Sequence, residues 1–450
     1  MDTRLVSYSQ RIPDLDPSEF LRQAQGVERF YWQHQDAQGN QTVYAGAGIA
    51  TEFTAWGEDR FRTIRARAAD LFANVVLLNE ESAAARPRLF GGFSFRSDFV
   101  TENTWAAFAP AYFVLPHYQL TQERGETWLT INVQVGEGED FTADDIREAL
   151  EARYAALVGA RYIVLPHTNE LYEINYPMPF GTWSDIITDA TNRMKAGELQ
   201  KVVLSRVCEL RFDDRVNIDS ALADLREKYA GCYLFLFEPS PYLAFYGATP
   251  ELLVHVEGRA IETMALAGSI RRGATPAEDD SLAHEMLDDP KNRHEHALVA
   301  DAVRARLAPL TDALDMPDAP EIKRLSNIQH LYTPVRGRLK SASGVLSLVE
   351  ALHPTPAMGG VPRAQAMDYI AQVELVPRGW YASPVGWIDH NLDGAFAVAI
   401  RSAISQNERV WLYAGAGIVA DSIPQKEWDE TDLKFKPMLD ALGAEAHARA

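Results

Sequence analysis

Between residues 180 and 212 the apolar positions change period. Trp183, Ile186, Ile187, Ala190 and Met194 recur at intervals of three and four, the stripe of a helix. Ser184 caps the predicted helix Ser184–Met194 and Gly197 ends it. Lys201–Phe212 (KVVLSRVCELRF) is a β-branched run that predicts a strand. Further strands are predicted at Cys232–Phe237 and Tyr242–Tyr246, joined by Glu238–Pro241, and a hairpin at Leu252–Glu257 and Ala260–Leu266 turns at Gly258. The spacing predicts a helix over Asn292–Leu307, just after Pro290, where a proline sits easily. Gly394–Ser402 and Arg409–Tyr413 read as strands, and Trp428–Leu442 as a terminal helix interrupted at Pro437. Arg271–Asp280 and His353–Arg363, rich in Gly, Pro and small residues, read as loops. Upstream the pattern is looser, with short strand-like runs and a helix at Thr142–Val158; the change falls near Pro166–Pro179. Strands and helices mix without strict βαβ alternation, which predicts an α+β fold: a large, mainly antiparallel sheet system covered by helices.

The 450 residues carry a formal net charge of −20. Length alone suggests two to four domains or one large one. The acidic balance argues against nucleic acid, whose phosphates need clustered Lys and Arg. The longest apolar stretches, such as Trp105–Leu115, fall short of the roughly 18 residues a membrane helix needs and contain Pro110, so no membrane span is expected. The N-terminal residues lack an apolar signal core, which leads to an expected cytoplasmic location. Cys208 and Cys232 form no CxxC pair and suit buried fillers in a reducing compartment. One echo occurs: YAGAGIATEF (Tyr44–Phe53) resembles YAGAGIVADS (Tyr413–Ser422), two strand–glycine units rather than a solenoid.

Several chemistries are excluded. There is no phosphate-binding GxxxxGKS/T loop and no GxSxG elbow. AGAG is not a dinucleotide fingerprint. His294-Glu295-His296 fails as HExxH, because Leu298 stands where the second ligand would be. Three features remain. Lys201 opens an apolar strand: it either snorkels at the edge or is a desolvated amine able to act as a base. Glu251 follows Thr249-Pro250 between strands: it is either a solvated turn carboxylate or a general acid kept protonated by an apolar pocket. Glu295 shares a helix face with Leu298, Val299, Ala302 and Val303, so it needs a partner, an Arg or a cation. Glu427 and Glu430 share a face with Lys434: a surface ion-pair array, or further oxygen ligands. Carboxylates without Cys or clustered His point to Mg²⁺.

Together these segments resemble the chorismate-utilising enzymes: isochorismate, salicylate, anthranilate and aminodeoxychorismate synthases. The match covers Phe180–Leu442, with ten motifs in the family's order: KVVLSR, GATPELL, LAGSIRRG, KNRHEH, IQHLYTPVRG, HPTPAMGG, RGWYASPVGW, AVAIRSA, YAGAGIV and EWDET. The resemblance implies one large domain of layered, mainly antiparallel sheets covered by helices. Residues 1–170 would be a less diagnostic part of that fold, and 171–445 the chorismate-binding catalytic region. It further implies that Lys201 activates water for attack at ring C2, while Glu251 protonates the departing C4 hydroxyl. Glu295 and Glu427 would hold Mg²⁺ on the ring carboxylate, with Glu430 as a further metal-side carboxylate and Lys434 in support. Arg401 and Tyr381 would bind the enolpyruvyl carboxylate. Backbone N–H groups at Gly415 and Gly417 would approach the substrate. Gly268, Ser269 and His330 would line the pocket.

Single residues sort the subfamilies. Anthranilate synthases carry Gln where Lys201 stands, and a lysine base favours water over ammonia, so no amidotransferase subunit is expected. Aminodeoxychorismate synthases carry Lys where Ala267 stands, to form an adduct that alanine cannot. That leaves isochorismate and salicylate synthases, and KNRHEH, HLYTP and the long N-terminal region look more like isochorismate synthases, serving menaquinone or catechol siderophore synthesis. Salicylate synthase is the alternative, and an inactive chorismate-binding regulatory subunit a remoter one. The resemblance also implies a monomer.

Overall fold

The computed structural model describes residues 3–36, 38–79, 82–101, 103–136, 142–159 and 170–444. The β-branched run forms a strand over Lys201–Phe212, with the predicted bounds. It is buried on both sides, which is why its apolar residues run on without alternating. Val202, Leu204 and Val207 join a core with Phe93, Phe113, Trp380 and Phe396. Cys208, Leu210 and Phe212 join another with Leu225, Tyr246 and Phe435. Both cysteines are free and buried, as expected of fillers.

Twenty-one strands form one hydrogen-bonded network among the described residues. All its ladders are antiparallel except the pairing of Thr3–Ile12 with Val76–Leu78. The N-terminal strands are woven into the rest. Arg29–Gln35 pairs with Tyr233–Ser240, and Arg88–Phe93 with Pro384–Asp389. The result is the expected α+β fold of one large domain, with helices on the sheet faces. No described helix is long and apolar enough to cross a membrane.

Several element bounds differ from expectation. The first predicted helix spans Phe180–Lys195 with Pro179 at its cap position, so Ser184 lies one turn inside. The Arg271–Asp280 loop is shorter than predicted, because Thr275 caps a helix over Pro276–Asp288. The terminal helix begins at Pro424 and continues to Ala441 through Pro437. Proline removes the donor to the carbonyl four residues back; that carbonyl, on Leu433, accepts from Asn327 Nδ2 at 3.4 Å instead. The strand from Arg409 continues to Ile418, because it ladders with Lys201–Phe212 along its whole length. Both copies of the YAGAGI echo lie in strands, Gln41–Ala55 and Arg409–Ile418. The Pro166–Pro179 change of pattern begins outside the described residues.

The break that matters most is at residues 399–401. A single strand was expected over Gly394–Ser402, but Gly394–Val398 and Ser402–Gln406 are separate. The first pairs with Leu252–Glu257, the second with Leu243–Thr249. Pro250 interrupts the partner chain at the same level, and the two breaks are stitched together. Thr249 Oγ1 donates to Val398 O at 2.6 Å, and Val398 N donates to Glu251 O at 3.0 Å. Arg401 sits in the left-handed region (φ 51°). Two facing interruptions thus bring Glu251 and Arg401 to one place.

Candidate active site

A cavity of about 60 Å³ lies where these breaks meet the start of the Lys201 strand. Its wall contains Lys201, Glu251, Gly268, Ser269, Glu295, His330, Tyr381, Arg401, Gly415, Gly417, Glu430 and Lys434. These are all the predicted site residues except Glu427. A larger cavity, of about 730 Å³ near Trp105 and Tyr413, holds none of the predicted site residues, and its Asp98 and Glu374 are taken up by Arg96 and Arg378. Pockets for small ligands usually exceed roughly 300 Å³, so this space is narrow for one as it stands.

Lys201 is not a strand-edge snorkeller. Its side chain is 1% exposed, and Nζ lies 3.0 Å from Glu295 Oε1. Backbone pairing fixes it on two sides, through Val361↔Lys201 and Ile418↔Val202. Glu295 projects from the helix Pro290–Leu307, which Asp289 caps by accepting from Asn292 N. Val299 of that helix packs on Ala265 and Ala267, and these small residues allow close approach. The partner that Glu295 required is therefore a lysine. Burial pushes the Glu295 carboxyl up and Lys201 pulls it down; the balance lies below its usual value. Gly417 completes this corner. A Cβ there would stand 2.3 Å from Glu295 Oε1 and 3.2 Å from Lys201 Cε, so only glycine leaves room for the pair.

Glu251 is 4% exposed rather than a solvated turn residue. No Lys or Arg among the described residues lies within ion-pair distance of its carboxyl. Burial pushes it up to about 7, against the opposing pull of Lys201, Arg401, Lys323 and Lys434. A carboxyl at that value shares its proton near neutrality, as a general acid must.

Arg401 is 7% exposed, and its Nη2 has no hydrogen-bond partner. An unsatisfied buried guanidinium is costly, so it is poised for an anion. Tyr381 stacks on Tyr413 with ring centroids 5.1 Å apart. His330 Nδ1 lies 3.1 Å from Gly268 O and 3.0 Å from Ser269 Oγ. A carbonyl only accepts, so Nδ1 carries the proton and the unpartnered Nε2 is an acceptor. Burial, with Arg401 and Lys434 nearby, holds this imidazole well below its ordinary range and hence neutral.

The terminal helix brings the remaining carboxylates. Arg206 docks it on the Lys201 strand by donating to Thr431 Oγ1 at 2.6 Å, pairing with Asp432 and lying 3.5 Å over the Trp428 ring. Glu427 is no surface residue: it is 1% exposed and bound to Lys291 Nζ at 2.8 Å, behind the cavity wall. Burial and the neighbouring Glu430 charge push its carboxyl up. Glu430 pairs with Lys434 at 2.5 Å, and Lys434 also donates to Gly415 O at 2.8 Å. Among the described residues no three ligating groups stand together as a ready metal cluster; each of these glutamates is held by a lysine.

Sequence reasoning missed two residues. Lys291 stands within KNRHEH and could have been read as a counter-charge. Lys323 belongs to no motif. The strand Glu321–Arg324 pairs it with His330, and its Nζ donates to Pro250 O at 2.9 Å, beside Glu251.

A family model described as "Chorismate binding enzyme" matches residues 1–443, and the chain belongs to that family. It is 34% identical to an isochorismate synthase, MenF, of Bacillus subtilis, over 98% of this chain and 94% of that protein. It is 36% identical to a salicylate biosynthesis isochorismate synthase of Pseudomonas aeruginosa, over 98% and 90%. Among solved structures, the menaquinone-specific isochorismate synthase of Escherichia coli superposes with a TM-score of 0.80 at 26% identity, covering 98% of this chain and 96% of that one.

Proposed function

We propose that the chain converts chorismate to isochorismate, a net isomerisation in which water adds at ring C2, the C4 hydroxyl departs and the double bonds shift. The observation that carries this reading is the enclosure of Lys201 and a carboxyl held near 7, Glu251, in one cavity with an unpartnered Arg401 Nη2. Lys201 takes the proton of the attacking water, and Glu251 gives one to the leaving hydroxyl. Two groups of opposite proton duty in one site are what such a displacement needs. An amine can take a proton only after losing its own, and Glu295 Oε1, 3.0 Å from Nζ, occupies the place that the water would take. The Lys201–Glu295 contact therefore separates on the way to the reactive state. Arg401 and the Tyr381 hydroxyl hold the enolpyruvyl carboxylate, and neutral His330 offers Nε2 to a substrate hydroxyl.

The donor set fits magnesium: Glu295, Glu427 and Glu430 are hard oxygen ligands, and the charge of Glu430 pushes the Glu427 carboxyl up, a repulsion that a divalent cation would relieve. When bound, Mg²⁺ supplies a positive clamp for the ring carboxylate. Lysine at 201 supports water rather than ammonia as nucleophile, and hence work without an amidotransferase subunit; the family resemblance supports a monomer. The relatives' names support a role in menaquinone or siderophore synthesis.

The test is purified protein with chorismate and Mg²⁺, with products separated by chromatography. Isochorismate should form without ammonium. Anthranilate formed only with ammonium, or salicylate and pyruvate appearing as fast as chorismate disappears, would overturn the assignment. Lys201→Ala should lower kcat by about 10²–10⁴-fold in both directions.

A further inference from the structure

A second cavity, of about 540 Å³, shares no residue with the active cavity. Its walls include Arg60, Phe61, Phe95, His353, Arg363 and Met367. Arg60 is 5% exposed, yet among the described residues no carboxylate lies within ion-pair distance of it. Its hydrogen bonds are long, 3.2 Å to Gly57 O and 3.4 Å to Ser94 O, Nε has none, and the guanidinium carbon lies 4.7 Å over the Phe61 ring. A buried charge without a counter-ion is costly. Burial, with Arg363 nearby, pulls Arg60 down to about 10 against the weaker opposing pull of Glu350, Asp98 and Glu58.

Arg306 and Arg363 are likewise without a carboxylate partner among the described residues. Their recorded hydrogen bonds run to carbonyls: Arg363 Nη2 to His353 O at 2.5 Å, Arg306 Nη1 to Leu352 O at 2.6 Å and to Pro354 O at 2.9 Å. Three guanidiniums thus surround His353, which burial and these charges keep neutral.

Backbone dipoles add to the same field. The helices Arg60–Ala73 and Arg363–Val373 both begin at this cavity. Neither has a side-chain cap hydrogen bond or an acidic residue in its first turn, although Asp59, paired with Arg62 at 2.7 Å, stands at the cap position of the first. Free N–H groups at helix starts favour negative charge. Opposing carboxylates do exist at the rim. Asp98 is occupied by Arg96 at 2.7 Å, and Glu58, Glu350 and Asp368 are exposed, with no ion pair to these arginines. They would disfavour a ligand that is anionic along its whole length. The volume exceeds that of a bare oxyanion, and Phe61, Phe95 and Met367 offer an apolar lining.

We propose that this cavity is an anion-binding site separate from the active cavity, taking a small organic molecule whose head is a phosphate or a dicarboxylate. The head meets Arg60, Arg363 and the two helix starts, and an apolar body lies along Phe61, Phe95 and Met367. Such a ligand would touch His353 and Pro354, at the start of the loop that reaches the active cavity at Ala357 and Met358.

The test is calorimetric titration of the full chain at constant ionic strength with inorganic phosphate and, separately, malonate. Saturable binding of at least one probe is expected, and the tighter of the two identifies the head group. The exposed Arg363→Glu should keep basal turnover while weakening binding by about tenfold or more, the loss of one charge-assisted contact. Arg60→Met should abolish binding if it folds; Arg363→Glu keeps the test decisive if it does not. Arg401→Met should leave the affinity unchanged. The proposal falls if neither probe saturates, if Arg363→Glu binds as well as the parent protein, or if Arg401→Met removes the binding.

Discussion

Glu251 should cost the protein stability at the pH where it works. Its carboxyl is held at about 7, chiefly by burial, against an ordinary 4.5. A group whose value is raised on folding binds its proton more tightly in the folded state. Stability is therefore lost as pH rises from 4.5 through 7, and the loss is complete above 7. At 1.36 kcal/mol per pH unit, this amounts to about 3 kcal/mol at most. Glu251→Gln keeps the shape and removes the charge, so it should abolish the penalty while lowering kcat on the order of 10²-fold or more. In metal-free buffer, the variant and the parent should melt together near pH 5. At pH 8 the variant should be the more stable by roughly 1–3 kcal/mol, a gain of a few degrees in Tm. Scanning calorimetry at the two pH values reads the difference directly. A Tm gap that does not change between pH 5 and pH 8, or a variant less stable at pH 8, would refute the view that Glu251 is held protonated by burial.

Gly417→Ala should remain folded, because the atom it crowds is the end of a flexible side chain. It should lower turnover by about 100-fold by pushing both the Glu295 carboxylate and the Lys201 side chain out of their places in the cavity, and circular dichroism beside kinetics separates the two effects. Arg401→Ala should raise KM for chorismate sharply, with a smaller change in kcat, since its contact exists before the transition state; a pure kcat effect would remove it from carboxylate binding. Glu295→Gln and Glu427→Gln should each raise the Mg²⁺ concentration for half-saturation in calorimetric titration, because each takes one charge from a hard-cation site. Unchanged half-saturation in both would make these glutamates structural.

Much of the fold was legible because local pattern and tertiary burial agree. The β-branched run at Lys201–Phe212 is a strand with the predicted bounds, and the apolar stripe near Trp183 is a helix. Residue chemistry also marked Lys201, Glu251, Glu295, Glu427 and Glu430 as unusual, since a charged side chain in an apolar pattern demands a partner. Which partner was not legible. Lys201–Glu295 joins residues 94 apart in sequence, and Lys291–Glu427 residues 136 apart, so only the packing of the terminal helix and the Pro290–Leu307 helix on the sheet pairs them. Lys323 left no signal, because its place beside Glu251 depends on a cross-strand register. The break at residues 399–401 was invisible for the same reason. AVAIRSA is locally a good strand, and it is interrupted because its two halves pair with different neighbours across Pro250. The sequence by itself thus determined the elements and the inventory of reactive groups, which depend on neighbours along the chain. The tertiary structure alone decided which charges meet and which stay unpartnered, because desolvation and ion pairing depend on contacts in space.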